Sequence, residues 1–130
     1  MFEQLAYEVA PHGIEVSINE PGGYPTKVWV NRNVYSAALK ERGEEKHLAG
    51  YPAVVARMGT EDGSGRSADP MDVPRAIAEI IAMPAGTRPL RRPVSGGAVP
   101  QTEINRVSAV TQRAMLGRGP MKALVEGVLD

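Results

Sequence analysis

Cysteine is absent from these 130 residues, so the chain holds no disulfide, no thiolate nucleophile and no thiolate metal ligand. Histidine is nearly absent too. His12 sits in a turn and His47 follows Glu44, Glu45 and Lys46; neither has a partner at a metal-site or triad spacing, and both read as surface. An excess of one charge is also missing. Fifteen basic and fifteen acidic residues cancel, leaving no whole-chain field to draw nucleic acid or an anionic membrane, so neither is expected as a partner. No apolar run approaches the roughly 18 residues that span a bilayer. The N-terminus MFEQLAYEVA carries no basic region ahead of an apolar stretch. A soluble, cytoplasmic chain is expected. Aromatic residues make up only 5%, yet 42% of the chain is apolar, enough for one domain core. Fourteen glycines and eleven prolines imply much loop without a disordered composition.

What is present is a sequence of short periodic segments. Phe2, Leu5, Ala6 and Val9 fall at i, i+3, i+4 and i+7, one face of a helix that Pro11-His12-Gly13 stops. Ile14, Val16 and Ile18 alternate with Glu15, Ser17 and Asn19, the period of a strand, and Glu20-Pro21-Gly22-Gly23 breaks it. Residues 27–65 are less regular and read as a long, partly helical excursion. Asp69 and Pro70 suit the cap and first position of a helix, on which Val73, Ala76, Ile77 and Ile80 repeat at helical spacing until Pro84. Residues 90–94 read as a strand that Pro89 and Pro93 confine to a sheet edge. A helix is expected over 101–116, broken by Gly117-Arg118-Gly119-Pro120, and then a last amphipathic segment with Met121, Leu124, Val125 and Val128.

One strand and one edge strand do not make a stable doubly wound sheet among this many helices. The order and wording of the segments nevertheless have a familiar look. AYEVAPHGIEV, then Pro21-Gly22-Gly23-Tyr24-Pro25-Thr26, then DPMDVPRAIAEIIAMP resemble the C-terminal half of the short-chain dehydrogenase/reductase family. The fold this implies is α/β, the C-terminal portion of a doubly wound Rossmann-type parallel sheet, incomplete by itself. Residues 1–96 would form that half-domain, and residues 97–130 a helical extension.

The resemblance implies cofactor contacts, to NAD or NADP, for Pro21, Gly22, Tyr24 through its backbone, and Thr26. It also makes the excursion a substrate lid, with Trp29, Tyr35, Tyr51 and Met58 as candidates to meet a small carbonyl or alcohol substrate. The family's catalytic tyrosine, lysine and serine have no counterpart at matching positions, so no catalytic residue is assigned to this chain. The expected partner is therefore a missing N-terminal half, within a longer polypeptide or on a second one. The alternative is a non-catalytic module of the same fold that docks a partner or forms a homo-oligomer.

Two stretches imitate the missing half. Gly59-Thr60-Glu61-Asp62-Gly63-Ser64-Gly65 has the glycine spacing of a phosphate-cradling turn, but no helix starts at its last glycine, and Glu61 and Asp62 would repel phosphate. Tyr35 and Lys40 resemble the catalytic pair with one residue too many between them, so the lysine turns away from the phenol. The Arg88, Arg91, Arg92 cluster reads as solvated surface.

Overall fold

Helix α1 (Phe2–Val9) opens the chain in the computed structural model, which describes residues 1–61 and 64–129. Its buried residues are Ala6 and Tyr7, while Phe2 and Leu5 are exposed. The core-facing stripe is thus rotated from the expected Phe2-Leu5-Ala6-Val9 face toward Glu3, Ala6 and Tyr7. The reason lies across the fold, where the Glu3 carboxylate accepts a hydrogen bond from Arg91. A short 3-10 turn over Ala10–His12 follows, and Gly13, at φ +71°, closes it by donating to the Ala10 carbonyl.

Strand β1 covers Ile18–Pro21 and pairs in parallel with β2 (Arg91–Val94), placing Ile18 opposite Arg91 and Pro21 opposite Val94. The strand expected over 14–19 therefore starts later and ends at the very breaker meant to stop it. Its start is set by the partner. Ile18 donates its N–H to Leu90, whereas one residue earlier the Pro89 carbonyl accepts the Ser17 hydroxyl instead.

Between the strands come α2 (Lys27–Arg42), α3 (Glu45–Leu48), α4 (Pro52–Arg57) and α5 (Asp72–Ala82). Helix α5 begins at Asp72 rather than at Asp69-Pro70; Asp72 and Pro74 supply its first turn the acidic residue and the proline that such a turn accepts. After β2 the chain adds α6 (Gln101–Leu116) and α7 (Lys122–Val128), joined through a 3-10 turn at Gly119–Met121. The result is a mixed α/β fold, mostly helical, with a two-stranded parallel sheet among the described residues.

The chain divides into two compact units. One comprises Met1–Gly22 and Met71–Asp130, the other Gly23–Pro70. In the first, Ala6, Tyr7, Leu90, Val125 and Leu129 form the core, with Val16, Ile18 and Val128 packed against it. Residues 97–130, expected as an extension, thus contribute Val125 and Leu129 to this core. Helices cover both faces of its sheet: on β2, Arg91 reaches α1 and α6 while Arg92 pairs with Glu79 of α5. The second unit contains α2, α3 and α4. Among its described residues only Tyr24 is buried.

Candidate functional site

Pro21 and Gly22 stand at the carboxyl end of the parallel pair, the end where open α/β sheets bind ligands. Pro21 closes β1, and Gly22 continues the ladder by donating its N–H to the Val94 carbonyl at 2.8 Å. A Cβ added at Gly22 would lie 2.6 Å from Ser95 Oγ and 2.9 Å from Ser95 Cβ. Glycine is required here because Ser95 fills the space a side chain would need. Sequence reasoning attached Gly22 to a ligand and overlooked Ser95, which lies far along the chain and has no local signal.

Tyr24, Thr26 and Trp29 are brought together in the second unit. The Tyr24 carbonyl accepts both the Trp29 indole N–H, at 2.6 Å, and the Thr26 N–H, at 2.9 Å. Thr26 holds the N-cap position of α2 in extended conformation, with no side-chain capping bond and no acidic residue in the first turn. The Trp29 N–H closes that turn on the Thr26 carbonyl at 3.2 Å. Arg66 lies over the Trp29 ring, 3.9 Å from its centroid, and Arg32 approaches the ring to 5.4 Å. A Cβ on Gly23 would meet the Arg66 guanidinium at 2.8 Å and would displace the tip of that flexible side chain.

The other lid candidates are dispersed. Tyr35 is exposed on α2 beneath Arg42, 5.8 Å from its ring, and this arginine, not Lys40, is the cation over the phenol. Tyr51 is exposed at the N-cap of α4, where its carbonyl accepts the Val54 and Val55 N–H groups. Met58 is half-buried and lines a cavity of about 590 Å³, together with Arg32, Asn33, Leu39, Val54 and Glu61. Trp29, Tyr35 and Tyr51 are not among its lining residues. In the glycine-rich decoy, Gly59 and Gly65 both take φ +81°, and Glu61 binds Arg32 and Arg57; Asp62 and Gly63 lie outside the described residues.

The first unit holds the strongest electrostatic arrangement. Arg91 is buried, its side chain 5% exposed, and it donates to Glu3 Oε1 at 2.6 Å and to Ser108 Oγ at 3.3 Å. Gln112 donates to Glu3 Oε2 and to Ser108, and accepts the Tyr7 hydroxyl at 2.7 Å. The Arg91 hydrogen bond holds the Glu3 carboxyl below its ordinary value, and burial pushes the Tyr7 phenol up. The arginine cluster expected on solvated surface is therefore partnered throughout: Arg88 with Glu15, Arg91 with Glu3, Arg92 with Glu79. Smaller cavities of about 390 and 280 Å³ lie in this unit, beside Glu15 and Arg88 and beside Arg91 and Asn105. Among the described residues no group of three His, Asp or Glu could hold a metal ion, and no helix is long and apolar enough to cross a membrane.

Set against family models, curated proteins and solved structures, the chain matches none of them.

Proposed function

We propose that this chain supplies the nicotinamide-side wall and the substrate lid of an NAD(P)-dependent oxidoreductase acting on a carbonyl or alcohol. The observation that carries the reading is the order helix, strand, Pro-Gly turn, helical excursion, helix, parallel strand, which is the order the short-chain dehydrogenase/reductase resemblance implies. The two strands would belong to a Rossmann-type sheet whose other strands, with the reacting tyrosine, lysine and serine, come from polypeptide outside these residues.

The residues present fit the phosphate end of such a cofactor better than its nicotinamide end. Thr26 keeps its hydroxyl out of capping, and Lys27 with no acidic neighbour leaves the first turn of α2 suited to an anion. Gly22 offers no open notch, since Ser95 occupies it. Thr26 and Lys27 would hold phosphate; Pro21 and Gly22 are the positions that the resemblance assigns to the nicotinamide. The cofactor, when bound, supplies the hydride chemistry. This chain's own contribution is to orient it and to exclude water from one side of the reacting carbon.

A wall without its opposite half binds weakly, so a dissociation constant on the order of 1 mM is expected for the isolated chain with NAD or NADP. Amide shift perturbation in a nucleotide titration tests this. Shifts confined to residues 21–29 support the reading, and a titration that moves none of them, to about ten times that concentration, rejects it.

A second reading has an observation of its own. Phe2 and Leu5 of α1, Ile77 and Ile81 of α5 and Ile104 of α6 are exposed apolar side chains on the first unit. They favour a partner-binding or homo-oligomeric module without catalysis. A stable oligomer by sedimentation, indifferent to nucleotide, would select it.

A further inference from the structure

We propose that the cavity of the second unit binds a small monocarboxylate with an aliphatic body, its head group held by Arg32 and Arg57. Calling such a ligand the substrate rests on the lid role proposed above and needs a hydroxyl or ketone on its aliphatic body; the binding itself does not.

The volume, about 590 Å³, lies within the range of small-molecule sites, and every lining residue belongs to residues 23–70. Leu39, Val54 and Met58 give the lining an aliphatic part. Leu39 and Val54 are 40% and 61% exposed, in a unit whose described residues include no apolar core to cover them. An apolar ligand body would remove that surface from water.

Charge sets the head group. Arg32, Arg57 and Glu61 also line the cavity, and among the described lining residues one carboxylate serves both guanidinium groups: Oε2 takes Arg32 at 2.9 Å and Oε1 takes Arg57. Two positive charges against one negative leave a surplus of one among these three side chains. Each guanidinium carries five N–H donors in a planar fork, so the two together hold more donors than the roughly four acceptor sites of Glu61 can take. A carboxylate matches that fork and balances the surplus, whereas a doubly charged phosphate would exceed it. An aliphatic body and a single negative head thus suit the same cavity.

The test is titration of the full chain with octanoate and with octan-1-ol, read by calorimetry and by emission of Trp29, the chain's one tryptophan, which lies 5.4 Å from Arg32. Octanoate is expected to saturate and to bind at least about tenfold more tightly than the alcohol, the ratio expected of a hydrogen bond to a charged group. Arg57→Met should remove most of that ratio by weakening octanoate alone, and Arg57→Lys should restore part of it. Leu39→Asp should abolish binding of both. Equal affinities for acid and alcohol, no saturation by octanoate, or an Arg57→Met variant that keeps the full preference would each overturn the proposal. Nicotinamide nucleotide is titrated separately on the same protein. Octanoate binding without nucleotide binding would keep the cavity assignment and remove the oxidoreductase reading; the reverse outcome would do the opposite.

Discussion

The two units of this chain form helices from similar apolar residues and then treat them differently. In residues 1–22 with 71–129, Leu90, Val125 and Leu129 are withdrawn from water and close a core with Ala6 and Tyr7. In residues 23–70, Val28, Val34, Leu39 and Val54 stay exposed, Val34 at 67%. The sequence of α2 explains part of this. Val28, Tyr35 and Leu39 fall on one face and Val30 with Val34 on another, so no single stripe faces a core. That unit is held instead by polar and stacked contacts: Arg32 and Arg57 on Glu61, Arg66 on Trp29, and Thr60 on the Arg57 carbonyl. Helix formation and core formation are separable here, and a segment with few buried contacts opens at low free energy, as lids and binding elements do.

The largest test of that contrast is a pair of truncations. Leu90→Ala, in the closed core, should cost about 2–5 kcal/mol in chemical denaturation. Val34→Ala, on exposed α2, should stay within about 0.5 kcal/mol. Comparable losses would erase the difference between the units.

Next in size is the ion pair of buried Arg91 with half-buried Glu3. Glu3→Gln leaves the buried Arg91 guanidinium without its carboxylate and should cost about 2 kcal/mol, less than a fully buried pair because solvent screens the 40% exposed Glu3 side chain. The same pair sets an acid dependence. The Glu3 carboxyl titrates lower when folded than when unfolded, so its contribution is present above the unfolded value of about 4.3 and is lost as pH falls through the folded value. Stability measured from neutral pH to pH 3 should fall less steeply in the Gln variant than in the parent protein.

Gly22→Ala should then cost about 1–3 kcal/mol by forcing a methyl onto Ser95. The double variant with Ser95→Gly should recover most of it, because both clashing Ser95 atoms are removed. Failure of the rescue would show that some other contact demands glycine at 22. A smaller cost belongs to Arg66→Ala, about 0.5–1 kcal/mol in the local opening of residues 23–70 from the lost stack on Trp29, seen as altered tryptophan emission.

Sequence reading reached the elements that carry their own periodicity. Helices α5 and α6, the turn at Gly13 and the edge strand β2 are all visible in spacing and in glycine or proline punctuation. The boundaries it missed depend on partners. Alternation from Ile14 could not reveal that pairing with β2 begins only at Ile18 and Arg91, and Asp69-Pro70 offered nearly the same helix-start chemistry as Asp72 with Pro74. Site geometry was less accessible still. Glu3 meets Arg91, Tyr7 meets Gln112 and Gly22 meets Ser95 across most of the chain, and no local pattern encodes such pairs. The Arg57 to Glu61 pair was hidden as well, since α4 ends at Arg57 and the pair forms across the Gly59 turn, not along a helical face.

Backbone amide hydrogen exchange, followed residue by residue on the full chain, tests most directly whether one unit owns the core and the other does not. The account predicts that amides of β1, β2, α5 and α6 exchange only through global unfolding, while those of α2 and α4 exchange by low-energy local opening and slow down when octanoate is added. Protection in α2 equal to that in α5, without any ligand, would contradict it.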